Sequence, residues 1–235
     1  CYSGWQIQKD QKTIQGELKK VIEDITLSDN INIIGSGRTD AGVHAVAQVA
    51  NFKTKSKMTC IQFAKAINSK ISNDITVVSS SLVSSDFNSR FSAKSREYIY
   101  NISSVKTPFN YKYNWINKTN IKYDVLEKCA DIILMEKNFF NFCKHSQDVK
   151  NYFCDISLSR WNFLNDENKT LQYKIKANRF LHHMVRMLVG TMLEVSREKI
   201  SLDDFKNIFY DSNLKKKVNT APPNGLFLSK IYYED

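Results

Sequence analysis

A chain of 235 residues, 42% hydrophobic and 12% aromatic, can bury a substantial core as one large domain or two small ones. Its 34 Lys and Arg against 24 Asp and Glu leave a net charge of +10, which points to a polyanionic partner, nucleic acid foremost, although a coding bias toward Lys, Asn and Ile gives the same excess. No apolar run approaches a membrane span and no signal peptide opens the chain. Its five cysteines, odd in number and without a Cys-x-x-Cys pair, argue against a disulfide framework or zinc site and for free thiols in a reducing, cytoplasmic setting.

In chain order, Ile14, Leu18, Val21 and Ile22 recur at helical spacing, with Thr13 as a start signal. Ile31–Ile34 and Val46–Phe52 read as strands on either side of a glycine-rich loop. Cys60–Ile71 is helical, with Phe63, Ala64, Ile67 and Ile71 on one face, and Asp74–Val83 is strand-like. Arg96–Ile102 alternates as a strand should. Thr107–Thr119 is an aromatic loop, and Tyr123–Met135 is a helix. Asp155–Trp161 and Leu171–Ala177 form a strand pair across the polar turn at Asn165–Asn168. Arg179–Val195 is expected to be the longest helix, Leu202–Tyr210 a shorter one, and Leu226–Tyr232 a closing strand. The loops between paired strands are too short for parallel crossovers, so the expected class is α+β with antiparallel sheet. The order of elements suggests two related halves, residues 1–92 and 93–235.

The loop between the first two strands reads Gly37-Arg38-Thr39-Asp40-Ala41-Gly42-Val43-His44-Ala45. Glycines permit backbone angles and approaches closed to other residues, so such a loop can present one carboxylate to a ligand. A lone Asp in a glycine-rich loop is more often a turn cap. All nine residues together resemble the catalytic motif of the tRNA pseudouridine synthase A family. Three further segments resemble that family's motifs: Arg90–Tyr100, Asn178–Gly190 and Ala221–Leu228. The four blocks span residues 37 to 228, nearly the whole chain.

The resemblance implies a pseudouridine synthase fold, two ferredoxin-like halves whose antiparallel sheets join across a central basic cleft. It implies isomerisation of uridine to pseudouridine at positions 38 to 40 of the tRNA anticodon stem-loop, by a cytoplasmic homodimer in which one tRNA touches both subunits, without cofactor or metal. Asp40 is then the nucleophile, with attack at the ribose and attack at the base both left open. Arg38 contacts RNA and helps hold the target base out of the stack, an extrusion that costs a few kcal/mol. In a strand-like stretch Arg38 and Asp40 would project to the same side.

Tyr98 stacks on the target base, and its hydroxyl is a candidate for proton transfer. Tyr100, on the same strand face, reads as core. Arg186 interrupts apolar surroundings, where a cation needs an anion, and the family pairs this Arg with the catalytic Asp. Leu226, with Leu228 on the same face, lines the uracil pocket or serves as ordinary strand core. The family commonly has Asn where this chain has Met187, a departure beside the pair and not in it. His182-His183 invites a metal reading, but adjacent residues on a helix diverge, so metal ligation is not expected.

Tyr2–Gln6 resembles the end of the family's first strand, and the chain opens on Cys1, so an incomplete or processed N-terminus is expected. A non-catalytic tRNA-binding or tRNA-folding protein on the same scaffold is the main rival, but the presence of Asp40, Tyr98 and Arg186 together favours the enzyme. A serine hydrolase would need a Gly-x-Ser-x-Gly elbow, and the sequence contains none.

Overall fold

The computed structural model describes every residue except Cys1, Asp148, Asn165, Asp166, Asn168 and Asp235. The turn expected at Asn165–Asn168 therefore lies largely outside the described residues. The chain divides into two compact units. One runs up to Gly42 and resumes over Gln48–Ala93; the other takes Val43–Ala47 and Lys94–Tyr233.

The first unit is built on two helices, α1 (Ile14–Thr26) and α2 (Cys60–Lys70). Thr13 caps α1 by accepting a hydrogen bond from the Gly16 amide, and Thr59 with Gln62 closes a reciprocal capping box on α2. The helices bury Ile22, Ile67 and Ile71 with Trp5, Ile31 and Ile33. Regular sheet in this unit is limited to an antiparallel pair, β1 (Ile34–Gly35) with β3 (Ala50–Asn51). The expected strands are thus much shorter than their patterns. Ile31 and Ile33 turn inward as alternation requires, and Ile75 and Val77 pack on the same core, yet residues 74–83 form no assigned strand and Val78, Leu82 and Val83 are exposed. Alternation encodes which side of the chain is apolar, while a strand also needs a ladder partner.

The second unit carries a six-stranded sheet in the order β2-β8-β4-β7-β6, with β5 pairing on β4. Here β2 is His44–Ala45, β4 Ser95–Ser103, β5 Trp115–Ile116, β6 Ile156–Leu164, β7 Thr170–Ala177 and β8 Leu226–Tyr232. The β6-β7, β7-β4 and β4-β8 ladders are antiparallel, as expected, but β2 joins β8 and β5 joins β4 in parallel, so the sheet is mixed. Val46–Phe52 is not one strand. The amides of Val46 and Ala47 continue the β2 edge by donating to Leu228 O, and only Ala50–Asn51 pairs with β1. Helices α3 (Tyr123–Met135), α4 (Met184–Ser196) and α5 (Leu202–Asn207) bury Leu126, Ile133, Leu188, Met192 and Phe205 in one core with Tyr100, Tyr173 and Ile175.

Helix α4 starts five residues later than its apolar spacing suggests. His183 takes a left-handed backbone (φ 64°) and Leu181 O accepts from the Met184 amide, so a turn at His182–His183 leads into the helix and residues 179–181 are irregular. At 13 residues α4 equals α1 and α3 in length and does not exceed them. Among the described residues four cysteines, Cys60, Cys129, Cys143 and Cys154, are free thiols. No described helix is long and apolar enough to cross a membrane.

Candidate active site

In the first unit residues 37–42 of the nine-residue block leave β1 and are pinned through their backbone. Trp5 N donates to Thr39 O at 3.1 Å, and the Trp5 ring lies flat enough against Gly35 that an added Cβ there would fall 2.5 Å from it. Gly4, at φ 91°, sits under Thr39 and Asp40, where a Cβ would come within 2.5 Å of Thr39 O. Ser36 N donates to Val49 O, Ser36 Oγ bonds Gln48 Oε1, and Gln48 Nε2 donates to Gly37 O at 3.0 Å. A second brace comes from Asn51, whose Oδ1 accepts from Ser89 N at 2.8 Å, while Ser89 Oγ donates to Ile34 O.

Asp40 is half-buried and Arg38 exposed in this frame. Residues 38–40 are irregular backbone and not strand, so the period-two argument for a common side does not apply to them. Of the two bracketing glycines, Gly42 uses the freedom expected of it, at φ 76°. Gly37 does not need it: its φ is not positive, and nothing lies within 4 Å of the Cβ it lacks.

In the second unit Tyr98 lies on β4, 9% exposed, opposite Ile175 on β7 and Leu228 on β8. The β4-β8 register slips between Glu97 and Tyr98, leaving Ser229 as the extra residue. Ser229 Oγ fills the bulge by bonding Glu97 O at 3.0 Å and Glu97 Oε1 at 2.9 Å. The extra residue lies on β8, the strand opposite Tyr98, so the bulge bends β8 beside that ring. The Tyr98 ring meets Phe180 edge-to-face at 5.0 Å. Tyr100 is fully buried, and burial pushes its hydroxyl well above the ordinary tyrosine range, only partly offset by the Arg186 charge. It therefore stays protonated and donates to Pro222 O at 2.7 Å.

Arg186, on the first turns of α4, donates from Nε to Ala221 O at 2.9 Å, and the Ala221 amide returns a bond to Arg186 O at 3.0 Å. One partner of this half-buried guanidinium is thus a carbonyl, which holds the side chain by its own neck. Leu226 and Leu228 are both buried on β8. Leu228, and not Leu226, is the one opposite Tyr98; Leu226 faces Tyr100. His182 and His183 lie in the turn before α4 with ring centroids 4.2 Å apart, so the reason for discounting them as co-ligands, divergence on a helix, fails for these two.

Sequence reasoning passed over His44, although it belongs to the block. It pairs with Phe227 in the β2-β8 ladder, stacks on the Phe227 ring at 4.9 Å, packs on Tyr113 at 5.0 Å and donates from Nε2 to Lys112 O at 3.0 Å. Phe180, Ser229 and Ala221 were also passed over. They act through pairing and packing that no local pattern carries.

The family model for tRNA pseudouridine synthase matches residues 2–92 and 136–234 of this chain. The chain belongs to this family. It is 35% identical over 234 residues to tRNA pseudouridine synthase A of Bacteroides thetaiotaomicron, covering 100% of this chain and 87% of that protein. It is 37% identical over 233 residues to the Bacteroides fragilis protein of the same name (99% and 91% covered), and 37% identical over 234 residues to that of Dictyoglomus thermophilum (98% and 94%).

Proposed function

We propose that this chain converts uridine to pseudouridine in the anticodon stem-loop of tRNA, at positions 38 to 40. The observation that carries the reading is the intact nine-residue block on a loop fixed from three sides by Gly4, Trp5 and Gln48, within a chain that belongs to the family. Asp40 is the nucleophile: its carboxylate attacks the target nucleotide, the N-glycosidic bond breaks and the base turns. C5 then bonds to C1′ as the bond to Asp40 breaks and the carboxylate is regenerated, and the proton lost from C5 is matched by one gained at N1. A nucleophile on a loop this tightly bonded loses little freedom when it reacts, which is how positioning lowers a barrier.

Tyr98 stacks on the extruded base. Its seat on β4, between Ile175 and Leu228 and with Phe180 edge-on to its ring, holds the largely buried ring in one orientation. Arg186 supplies the cation that orients the reacting carboxylate. Its anchoring to Ala221 supports that role, because a guanidinium held by one nitrogen keeps its planar fork in a fixed attitude. Arg38, exposed on the loop, meets the RNA, and Leu226 lines the uracil pocket. The enzyme acts in the cytoplasm as a homodimer. Two α+β halves, divided near residue 92, cooperate across a basic cleft.

Tritium release from tRNA carrying 5-³H-uridine, followed by mapping of the product, tests the reading. Release with pseudouridine at positions 38 to 40 supports it; tRNA binding without release would leave the non-catalytic tRNA-binding reading in its place.

A further inference from the structure

The aromatic loop between β4 and β5 has no part in the reaction described above. Its composition is unusual: from residue 98 to residue 123 there is no Asp or Glu, and Lys106, Lys112 and Lys118 interleave with Phe109, Tyr111 and Tyr113. Phe109 is 88% exposed, Tyr111 44% and Tyr113 49%. Large apolar rings left in water within one short segment call for an explanation, since a loop with no such task would be polar.

Nor is the segment loose. Asn110, only 7% exposed, accepts from Thr107 N through Oδ1 at 2.8 Å and donates from Nδ2 to Val105 O at 2.8 Å; the amides of Tyr113 and Asn114 donate to its carbonyl. Asn224, in the segment leading into β8, donates from Nδ2 to Tyr111 O at 3.1 Å and to Asn114 O at 2.7 Å. His44, four residues after Asp40 in the chain, holds Lys112 O, with Tyr113 packed on its ring. Asn110 thus ties the loop from within, and two of the family-like blocks, through His44 and Asn224, grip it from outside.

What remains outward is Phe109, the Tyr111 ring with Lys112 Nζ 5.8 Å from its centroid, and a small pocket of about 300 Å³ lined by Lys106, Thr107, Pro108 and Tyr111. Flat aromatic faces beside cations, on a backbone that cannot collapse over them, match unpaired nucleotides: bases stack on the rings while phosphates meet the lysines.

We propose that this loop is a nucleotide-stacking clamp for unpaired bases of the tRNA substrate, with Phe109 and Tyr111 as the platforms and Lys106 and Lys112 as the phosphate contacts. The proposal rests on tRNA being the substrate, but not on Asp40 being the nucleophile. Paired bases offer no free face, so the clamp discriminates looped RNA from duplex.

The test is equilibrium binding of an unmodified tRNA transcript, and of an RNA duplex of equal length, to the wild type, to F109A/Y111A and to K106Q/K112Q. All four side chains are exposed or on the loop surface, and circular dichroism of each variant against wild type confirms the fold. F109A/Y111A should weaken tRNA binding by about 5- to 150-fold for each base left unstacked, and leave duplex binding unchanged. K106Q/K112Q should lower the slope of log Kd against log salt by about 0.7 to 0.9 for each phosphate no longer neutralised. Unchanged tRNA affinity in F109A/Y111A overturns the clamp, as does an equal loss for tRNA and duplex. Unchanged tRNA affinity with an altered oligomeric state would assign the loop to a protein contact instead. If the wild type makes no pseudouridine while F109A/Y111A still weakens tRNA selectively, the clamp stands and the catalytic reading falls.

Discussion

The two units solve opposite problems. The second is a mixed six-stranded sheet with three helices among the described residues, and its proposed base-stacking residue Tyr98 is a strand residue, locked by cross-strand partners on both sides. The first has, among the described residues, one two-residue strand pair and a core of Trp5, Ile22, Ile31, Ile33, Ile67 and Ile71, and its proposed nucleophile Asp40 is on irregular backbone. What the ladder does for Tyr98, single hydrogen bonds and one ring do for Asp40. A residue that must offer a flat face gains from the stiffness of a sheet. A carboxylate that must reach a reacting atom needs a backbone path no strand follows, and it is fixed by close packing against Gly4 and Gly35.

That contrast can be broken at the first unit's anchor. Trp5→Ala removes the largest ring from its small core and the brace on Gly35, and should cost about 3–5 kcal/mol. Hydrogen exchange followed by mass spectrometry should show faster exchange in α1 and α2 peptides and little change in β4, β6 and β7. Equal acceleration in both units would mean that they do not differ as described.

Alkali should strike the other unit. Burial pushes the Cys129 and Cys154 thiols from the ordinary 9.0 up to about 12, and Tyr100 and Tyr173 also rise. A folded-state value above the unfolded one means stability that is whole below pH 9 and is lost as pH climbs toward 12. By pH 10.5 each thiol should withdraw about 2 kcal/mol. Urea unfolding at pH 8 and pH 10.5 should register the fall, and Cys129→Ala with Cys154→Ala should flatten it. The first unit's Cys60 is less buried than these two thiols, so Cys60→Ala should leave the fall unchanged.

Gly4→Ala places a side chain at φ 91° and against Thr39 O. The backbone strain alone is about 1–2 kcal/mol. Because the clash shifts the loop that carries Asp40, the rate of pseudouridine formation should drop about a hundredfold, the usual order for a misplaced reacting group. A normal rate would show that the Gly4 contact does not position the loop. The smallest effect is expected at Thr59→Ala, which opens the α2 capping box and should cost about 1 kcal/mol, read as a lowered urea midpoint.

The same contrast decides what could be read from the residues alone. β4, β6, β7 and β8 were legible because each is an apolar-rich run of seven or more residues that finds partners on the sheet, with the clearest alternation in β4 and β7. Ile31, Ile33, Ile75 and Val77 were legible as inward-facing positions but not as irregular chain, because the presence of a ladder partner is not written locally. Val46–Phe52 looked continuous, yet its two ends belong to different sheets. The start of α4 was misplaced because helical spacing runs on through Phe180 and Leu181, while His183 breaks the backbone at φ 64°. Asp40, Arg38, Tyr98 and Arg186 could be named from the blocks they stand in. The bulge at Ser229, the Ala221 anchor and the bond from His44 to Lys112 join residues far apart in sequence, and only the fold brings them into view.

On the proposed reading Asp40 performs the chemistry while other residues hold the RNA. Asp40→Asn is nearly isosteric but a poor nucleophile. Single-turnover pseudouridine formation on one tRNA transcript, with tRNA affinity measured in parallel, is the direct test. Asp40→Asn should give no detectable product, with a Kd for tRNA within about twofold of wild type, because neutralising one carboxylate leaves every phosphate-binding cation in place. Product formed at the wild-type rate would contradict it.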